Sequence, residues 1–204
     1  MLSAFTAGLL LVGVSELGDK TFFIAVILAM RHSRSLIFAG VLAALATMTV
    51  ISVLMGEAVS VLPSVYIHYA EIALFAGFGV KLLYEASRMP AASCDAEVVL
   101  EATEVVEKAD FNSLGQTPME ICLEAFVLTF LAEWGDRTQF ATIALAAHNN
   151  PVGVTIGAIL GHTICTAIAV IGGRMIAGRI SERTLTGVGG CLFLVFGIVA
   201  WLEG

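Results

Sequence analysis

The chain has 204 residues, of which 58% are hydrophobic and only 13% are charged, and its mean hydropathy is +0.94. Ordinary globular domains are much less apolar, so this composition excludes a soluble protein and predicts an integral membrane protein in a lipid bilayer. The formal net charge of −7 argues against a nucleic-acid partner, which would require a basic surface.

Six apolar stretches follow one another along the chain, each near the roughly 20 residues that a helix needs to cross hydrocarbon. They cover residues 2–30, 36–56, 66–84, 125–147, 152–173 and 184–202. The start of the chain lacks the basic segment of a signal peptide, so we expect the first stretch to stay as a helix. The sequence therefore predicts an all-α membrane protein with six transmembrane helices.

A charged segment at residues 88–118 separates the first three stretches from the last three. Its acidic residues far outnumber its basic ones and are Asp95, Glu97, Glu101, Glu104, Glu107 and Asp110. We expect a partly helical, exposed linker, although such acids could also concentrate cations near a pore mouth. The chain then divides into a three-helix repeat (1–87), an acidic linker (88–118) and a second three-helix repeat (119–204).

A charged hexapeptide occurs twice inside the apolar sequence, as Glu-Leu-Gly-Asp-Lys-Thr at 16–21 and as Glu-Trp-Gly-Asp-Arg-Thr at 133–138. Ionisable residues within a membrane are rare and usually mark an ion or proton path. Buried ion pairs that only fix helix packing are the alternative. The duplication favours one functional site built from both copies.

The hexapeptides belong to a longer internal repeat with an offset of 117 positions. Matching pairs include Phe23 with Phe140, Leu28 with Leu145, Gly40 with Gly157, Thr49 with Thr166, Val53 with Val170 and Gly56 with Gly173. Three spans per half give the halves opposite membrane orientations, and inverted repeats are common in secondary transporters with a site near the midplane. We therefore expect the two hexapeptides to face each other.

The lysines and arginines outside the hexapeptides indicate the orientation. With six spans, all eight lie on one side of the membrane, and they are Arg31, Arg34, Lys81, Arg88, Lys108, Arg174, Arg179 and Arg183. Positive charge accumulates on the cytoplasmic side. The linker is therefore predicted to be cytoplasmic, with both termini outside or in a lumen.

Within each hexapeptide the Glu and Asp are three residues apart, which on a helix places both carboxylates on one face. The predicted metal ligands all offer oxygen atoms and are Glu16, Asp19, Thr21, Glu133, Asp136, Thr138 and Gln139. Oxygen donors suit Ca²⁺, Mn²⁺ and Mg²⁺ alike. Gly18 and Gly135 allow close backbone approach or a break in the helix.

Four clustered carboxylates repel one another in a medium of low dielectric constant, so the site is expected to hold protons when no metal is bound. Competition between metal and protons then gives a basis for antiport. Lys20 and Arg137 either pair with acids of the opposite repeat or extend to the membrane surface, and both readings stay open. His162, in the middle of the fifth apolar stretch, is equally compatible with a proton relay and with packing.

The glycines of the fifth apolar stretch and the cysteines of the chain are not predicted to bind metal. Gly153, Gly157 and Gly161 have the spacing of a close helix-helix contact. The four cysteines, Cys94, Cys122, Cys165 and Cys191, lack the spacing of a zinc or redox site.

The duplicated Glu-x-Gly-Asp-(Lys/Arg)-Thr signature resembles the GDT family of divalent cation/proton exchangers, and in particular the manganese exporters of cyanobacteria. The resemblance covers nearly the whole chain apart from the linker. It implies exchange of cytoplasmic Mn²⁺, or of Ca²⁺, for protons across a plasma or thylakoid membrane, with the ion bound as substrate and no cofactor. It leaves the preference between the two ions, the proton stoichiometry, the oligomeric state and the choice of membrane open.

A channel and an intramembrane enzyme are the two alternatives to an exchanger. A divalent cation channel would pass ions without coupling to protons. An intramembrane enzyme would require a catalytic constellation such as H-E-x-x-H, which is absent from the sequence, so we expect a protein that is not an enzyme.

Overall fold

The computed structural model describes residues 1–89, 96–108, 117–176 and 182–203. This part of the chain contains nine α-helices and no strand, which confirms the all-helical prediction. Several residues of the sequence predictions lie outside the described part, among them Cys94, Asp95, Asp110 and Arg179.

The helices have the same order in both halves, two short helices followed by two long ones. The first half contains α1 (Leu2–Ser15), α2 (Lys20–Arg31), α3 (Arg34–Val59) and α4 (Ser64–Arg88). The linker forms α5 (Ala96–Lys108), and the second half contains α6 (Pro118–Glu133), α7 (Arg137–His148), α8 (Pro151–Ile176) and α9 (Glu182–Glu203).

Four helices in the described ranges are long and apolar enough to cross a membrane. They comprise α3, α4, the Pro151–Gly172 part of α8 and the Arg183–Leu202 part of α9. The predicted stretches 2–30 and 125–147 differ, because each is divided between two shorter helices that meet at a hexapeptide. The first and fourth of the six predicted helices are therefore each made of two helices.

Local sequence explains where the helices of the second half begin. Thr117 and Glu120 form a capping box at the start of α6, and Pro118 occupies its first turn, where a missing N–H costs nothing. The Asn150 side-chain oxygen accepts a hydrogen bond from the Gly153 N–H at 2.9 Å. Both caps satisfy backbone donors that a helix leaves free.

Glycines on α8 allow it to lie directly against α1. A Cβ atom on Gly157 would lie 2.1 Å from the Phe5 carbonyl oxygen, and one on Gly153 would lie 2.8 Å from the Met1 carbonyl oxygen. In the first half, Gly40 of α3 has the same relation to α6, because its Cβ would lie 2.4 Å from the Cys122 carbonyl oxygen. The predicted packing role of these glycines is confirmed.

The main contacts between helices are reciprocal between the two halves. Helix α8 packs against α1 and α2, and α3 packs against α6 and α7. The fourth helices of the two halves, α4 and α9, pack against each other, with the Phe75 and Phe193 rings 5.9 Å apart. The two hexapeptides therefore meet within one bundle, where Glu16, Thr21, Glu133 and Thr138 are buried and Trp134 is exposed.

The linker helix α5 is not simply exposed. Ala102 and Val106 are buried in the same apolar cluster as Phe22 and Ile24 of α2. Glu101, on the exposed side of α5, forms an ion pair with Lys20. The expectation of an exposed connector is wrong for this face, because α5 is amphipathic and covers apolar surface of α2.

We expect Gly157→Ala to destabilise the bundle, because its new methyl group would overlap the backbone of α1. Overpacking costs about 1–3 kcal/mol, and for a chain of this size each kcal/mol shifts the thermal midpoint by about 2–4 °C. Thermal unfolding of the purified protein in detergent measures the change. Gly77→Ala is the matched control, since no atom lies within 4 Å of the added carbon, and an equal loss in both variants would contradict close packing as the cause.

Candidate metal centre

One helix ends and the next begins within each hexapeptide, so the motif is a connection between two helices and not part of a continuous helix. Glu16 directly follows α1, and Asp19 occupies the position just before α2 without a capping hydrogen bond from its side chain. In the second copy, Glu133 is the last residue of α6, and Asp136 caps α7. The prediction that each acidic pair shares one face of a helix is therefore wrong, and the carboxylates lie instead where two helix ends meet.

The glycine in the middle of each hexapeptide makes this turn possible. Gly18 has a φ of +79° and Gly135 a φ of +84°, values at which a side chain would cost about 1–2 kcal/mol. A Cβ on Gly18 would also lie 2.3 Å from a methyl carbon of Leu185. Of the two uses predicted for these glycines, the break in the helix is confirmed.

The structure brings acidic side chains of both copies together. Carboxylate oxygens of Glu16, Asp19 and Glu133 all lie within 4.8 Å of one another. Glu16 and Glu133 are only 3% and 4% exposed. Asp19 is partly exposed, with 24% of its side chain accessible. Two buried carboxylates this close to a third require a cation or protons to offset their repulsion.

Hydroxyl groups complete an oxygen-rich surface around the cluster. Thr21 and Thr138 are both buried, and Thr21 Oγ1 lies 3.5 Å from Glu16 Oε2. Glu16 Oε1 is buried and has no hydrogen-bond partner among the described residues. A buried acceptor without a partner is costly, and a bound divalent cation or a proton would satisfy it.

The other two predicted ligands form hydrogen bonds within their own turn. Asp136 Oδ2 accepts hydrogen bonds from the Thr138 N–H at 3.3 Å and from the Thr138 hydroxyl at 3.0 Å. Gln139 Oε1 accepts one from the Gly135 N–H at 2.8 Å. These contacts hold the second turn in shape, and neither residue belongs to the three-carboxylate cluster.

The two basic residues of the hexapeptides have different partners. Arg137 pairs with Asp19 of the opposite repeat at 3.2 Å, which is one of the two predicted possibilities. Lys20 pairs with Glu101 of the linker helix, a partner that sequence reasoning missed. The amphipathic pattern of residues 96–108 is the signal that could have indicated it.

A cavity of about 130 Å³ reaches Asp19 and Arg137 from one end of the bundle. Its wall includes Glu85 near the end of α4 and Leu185 near the start of α9, so it opens on the side of the linker. At the opposite end, His148 Nδ1 lies 2.8 Å from Glu71 Oε2 and joins α7 to α4. Of the three clustered carboxylates, Asp19 therefore lines this cavity on the linker side.

The sequence matches the family described as divalent cation/proton antiporter GDT1, over residues 4–90 and 121–204. The chain belongs to this family. The matched residues include both hexapeptides and leave out most of the linker. Membership makes the protein a transporter and not a member of an enzyme class.

Relatives from photosynthetic organisms are similar over almost the whole chain. GDT1-like protein sll0615 of Synechocystis sp. is 57% identical, with 98% of both chains covered. GDT1-like protein 4 of Oryza sativa subsp. indica is 46% identical over 98% of this chain and 74% of its own. The chloroplastic protein PAM71-homolog of Arabidopsis thaliana is 41% identical over 95% of this chain and 58% of its own. No solved structure matches the chain.

Because Arg137 occupies an oxygen of Asp19, we expect Arg137→Gln to destabilise the metal-free protein, by up to about 3 kcal/mol for this partly exposed pair. Added Mn²⁺ should then raise the thermal midpoint more in the variant than in the wild type, since the competing cation is gone. Lys81→Gln removes a basic residue from an exposed i,i+4 pair. It should change neither the stability of the metal-free protein nor the rise of the thermal midpoint with Mn²⁺. A smaller effect of Mn²⁺ on Arg137→Gln than on the wild type would show that Arg137 assists binding.

Proposed function

We propose that this protein exports Mn²⁺, with Ca²⁺ as a second substrate, from the cytoplasm in exchange for protons. The observation that carries the proposal is the cluster of Glu16, Asp19 and Glu133, whose oxygens lie within 4.8 Å of one another and of which both glutamates are buried. Family membership supports exchange of a divalent cation for protons. The identity of the ion and the direction of transport are our inference.

The donor set favours a hard divalent ion. Carboxylate and hydroxyl oxygens bind Ca²⁺ and Mn²⁺ well, whereas copper and zinc prefer sulfur and nitrogen ligands. The same carboxylates bind protons when the metal leaves, because their mutual repulsion persists in the empty site. Metal and protons therefore occupy the site in turn, which is the requirement for exchange.

We further infer six membrane spans arranged as two inverted repeats. In this arrangement α1 with α2, and α6 with α7, each form one span that is interrupted at its hexapeptide. Discontinuous helices of this kind commonly carry the ion site of secondary transporters. The reciprocal packing of α8 on α1 and of α3 on α6 supports a two-fold relation between the halves.

The orientation follows from the position of the basic residues, which places the linker in the cytoplasm. The cavity that reaches Asp19 opens on the linker side, so in this conformation the site loads from the cytoplasm. Protons that move inward then drive the metal outward, across a plasma or thylakoid membrane. Two protons per ion would be electroneutral, and any other ratio would couple transport to the membrane potential at about 2.3 kcal/mol per charge per 100 mV.

Transport should depend on both hexapeptides. In liposomes that contain a Mn²⁺-sensitive dye, we expect Mn²⁺ flux in the wild type to follow an imposed pH gradient. Glu16→Gln and Glu133→Gln should reduce the flux by at least about a hundredfold, because each removes a charge from the cluster, while thermal unfolding shows that the fold is kept. Thr47→Val, an exposed position on α3, is the matched control. Flux that ignores the pH gradient would indicate a channel instead.

The six-span arrangement predicts that α1 and α2 together cross the membrane. Ser3 and Ser33, both exposed, lie just inside the start of α1 and just after the end of α2. In a background without the native cysteines, a membrane-impermeant thiol reagent should label Ser33→Cys from the cytoplasmic side and Ser3→Cys from the other side. Labelling of both from the same side would contradict the span.

A further inference from the structure

Two small cavities flank the carboxylate cluster, and each contains one of the buried glutamates. The Glu133 cavity lies among α3, α6, α7 and α8, and the Glu16 cavity lies among α2, α3 and α8 beside the first hexapeptide. All nine residues that line the Glu133 cavity have their counterparts, at the offset of 117 positions, in the lining of the Glu16 cavity. The cavities are therefore equivalent parts of the two repeats.

Three pairs of equivalent positions differ sharply in polarity. The Glu133 cavity has Ser52, Gln139 and Thr142 where the Glu16 cavity has Ala169, Phe22 and Ala25. The first set offers two hydroxyl groups and an amide, and the second set offers only apolar surface. Both cavities have a glutamate, two threonines and His162 in their walls, and the Glu133 cavity therefore offers three more polar side chains to an ion than the Glu16 cavity does.

The size of the Glu133 cavity matches a single ion. Its volume is about 20 Å³, and about 10–15 Å³ is the minimum for one water molecule. A hydrated divalent ion would not fit with its full water shell. An ion that enters this cavity must exchange water for protein ligands, so the identity of those ligands decides which ion is held.

His162 lies in the wall of both cavities, and so does its counterpart Leu45. The His162 side chain is buried, and its Nδ1 has no hydrogen-bond partner among the described residues. Packing alone does not require an imidazole here, since the equivalent position in the other repeat is a leucine. The ring adds a nitrogen donor at the junction of the two cavities, next to oxygen donors from both hexapeptides.

We propose that the Glu133 cavity is a second cation position, beside the three-carboxylate cluster, in which His162 is a ligand that favours Mn²⁺ over Ca²⁺ and Mg²⁺. Mn²⁺ binds mainly through oxygen but, as a transition metal, also accepts an imidazole nitrogen as one ligand among several oxygens, whereas Ca²⁺ and Mg²⁺ take oxygen ligands alone. Ser52 and Thr142 complete the position with hydroxyl oxygens. The proposal rests on the proposed transport function and adds the residues that select the ion.

The polarity difference also gives the path a direction. An ion released by the carboxylates finds polar atoms on the Glu133 side and the apolar side chains of Phe22 and Ala25 on the Glu16 side. Since Thr138 and Thr142 lie along α7, which leads away from the linker end, the second position lies on the exit side of the cluster.

Pulsed electron paramagnetic resonance of Mn²⁺ bound to the purified full-length protein tests the proposal. A nitrogen ligand produces modulation of the Mn²⁺ echo by ¹⁴N, and this modulation changes when the histidines carry ¹⁵N. We expect nitrogen coupling in the wild type and its loss in His162→Leu, which installs the residue found at position 45. Thr163→Val is the control on the same helix, since the Thr163 hydroxyl bonds to the backbone of its own helix.

Equilibrium binding of Mn²⁺ and Ca²⁺ to the same proteins provides the second readout. His162→Leu should weaken Mn²⁺ binding about tenfold, in the range found when the surroundings of a metal site are altered, and should change Ca²⁺ binding less than about twofold. His162→Gln, which keeps a polar side chain, should behave in the same way. Thr142→Ala should weaken both ions without loss of nitrogen coupling.

The outcomes separate this proposal from the proposed function. Mn²⁺ binding that needs Glu16 and Glu133 but shows no nitrogen coupling would overturn the role of His162 and leave the carboxylate site intact. Equal losses of Mn²⁺ and Ca²⁺ binding in His162→Leu and His162→Gln would also overturn it. Absence of any Mn²⁺ binding to the wild type would refute the proposed function itself.

Discussion

The structure depends on holding like charges together where little water can screen them. Carboxylates of Glu16, Asp19 and Glu133 share a space less than 5 Å across, and in an apolar interior their repulsion is far stronger than in water. The glycine turns fix the backbone at this point, and the tight contacts of α8 on α1 and of α3 on α6 prevent the helices from separating. The bundle therefore keeps carboxylates together that need a cation or protons to offset their repulsion, and on the proposed function this requirement is the physical basis of coupled exchange.

The two repeats have the same framework but have diverged in their charge partners. Arg137 reaches across to Asp19 inside the site, whereas Lys20 turns to Glu101 on α5. One basic residue thus acts within the carboxylate cluster, and the other attaches the linker to the motif helix α2. The same divergence appears in the cavities, which are polar beside Glu133 and apolar beside Glu16. The two halves therefore offer an ion different surroundings on the two sides of the carboxylate cluster.

Much of this arrangement could be predicted from the sequence. Composition indicated helices in a membrane, the duplicated hexapeptides indicated the carboxylates of the site, and the spacing of Gly153, Gly157 and Gly161 indicated a close helix contact. Whether the helix is continuous or broken at each hexapeptide could not be predicted from the sequence. A glycine fits both a continuous helix and a turn with a φ near +80°. The hydrogen bond between Gln139 and Gly135 could not be predicted, since it depends on the path of the chain through the turn. The amphipathic pattern of residues 96–108 indicates that α5 packs on another helix, but not that Lys20 lies opposite Glu101. The buried face of α5 was hidden by its many glutamates.

The glycine contacts described above have a consequence for how the protein can move. Each of them joins a helix of one half to a helix of the other, as Gly157 joins α8 to α1 and Gly40 joins α3 to α6. The two halves of the chain are therefore interlocked, and neither is a rigid body of its own. A motion that exposed the proposed site to alternate sides of the membrane would have to carry α1 with α8 and α3 with α6 to keep these tight pairs intact. The moving units would then be mixed pairs, each with one helix from either half.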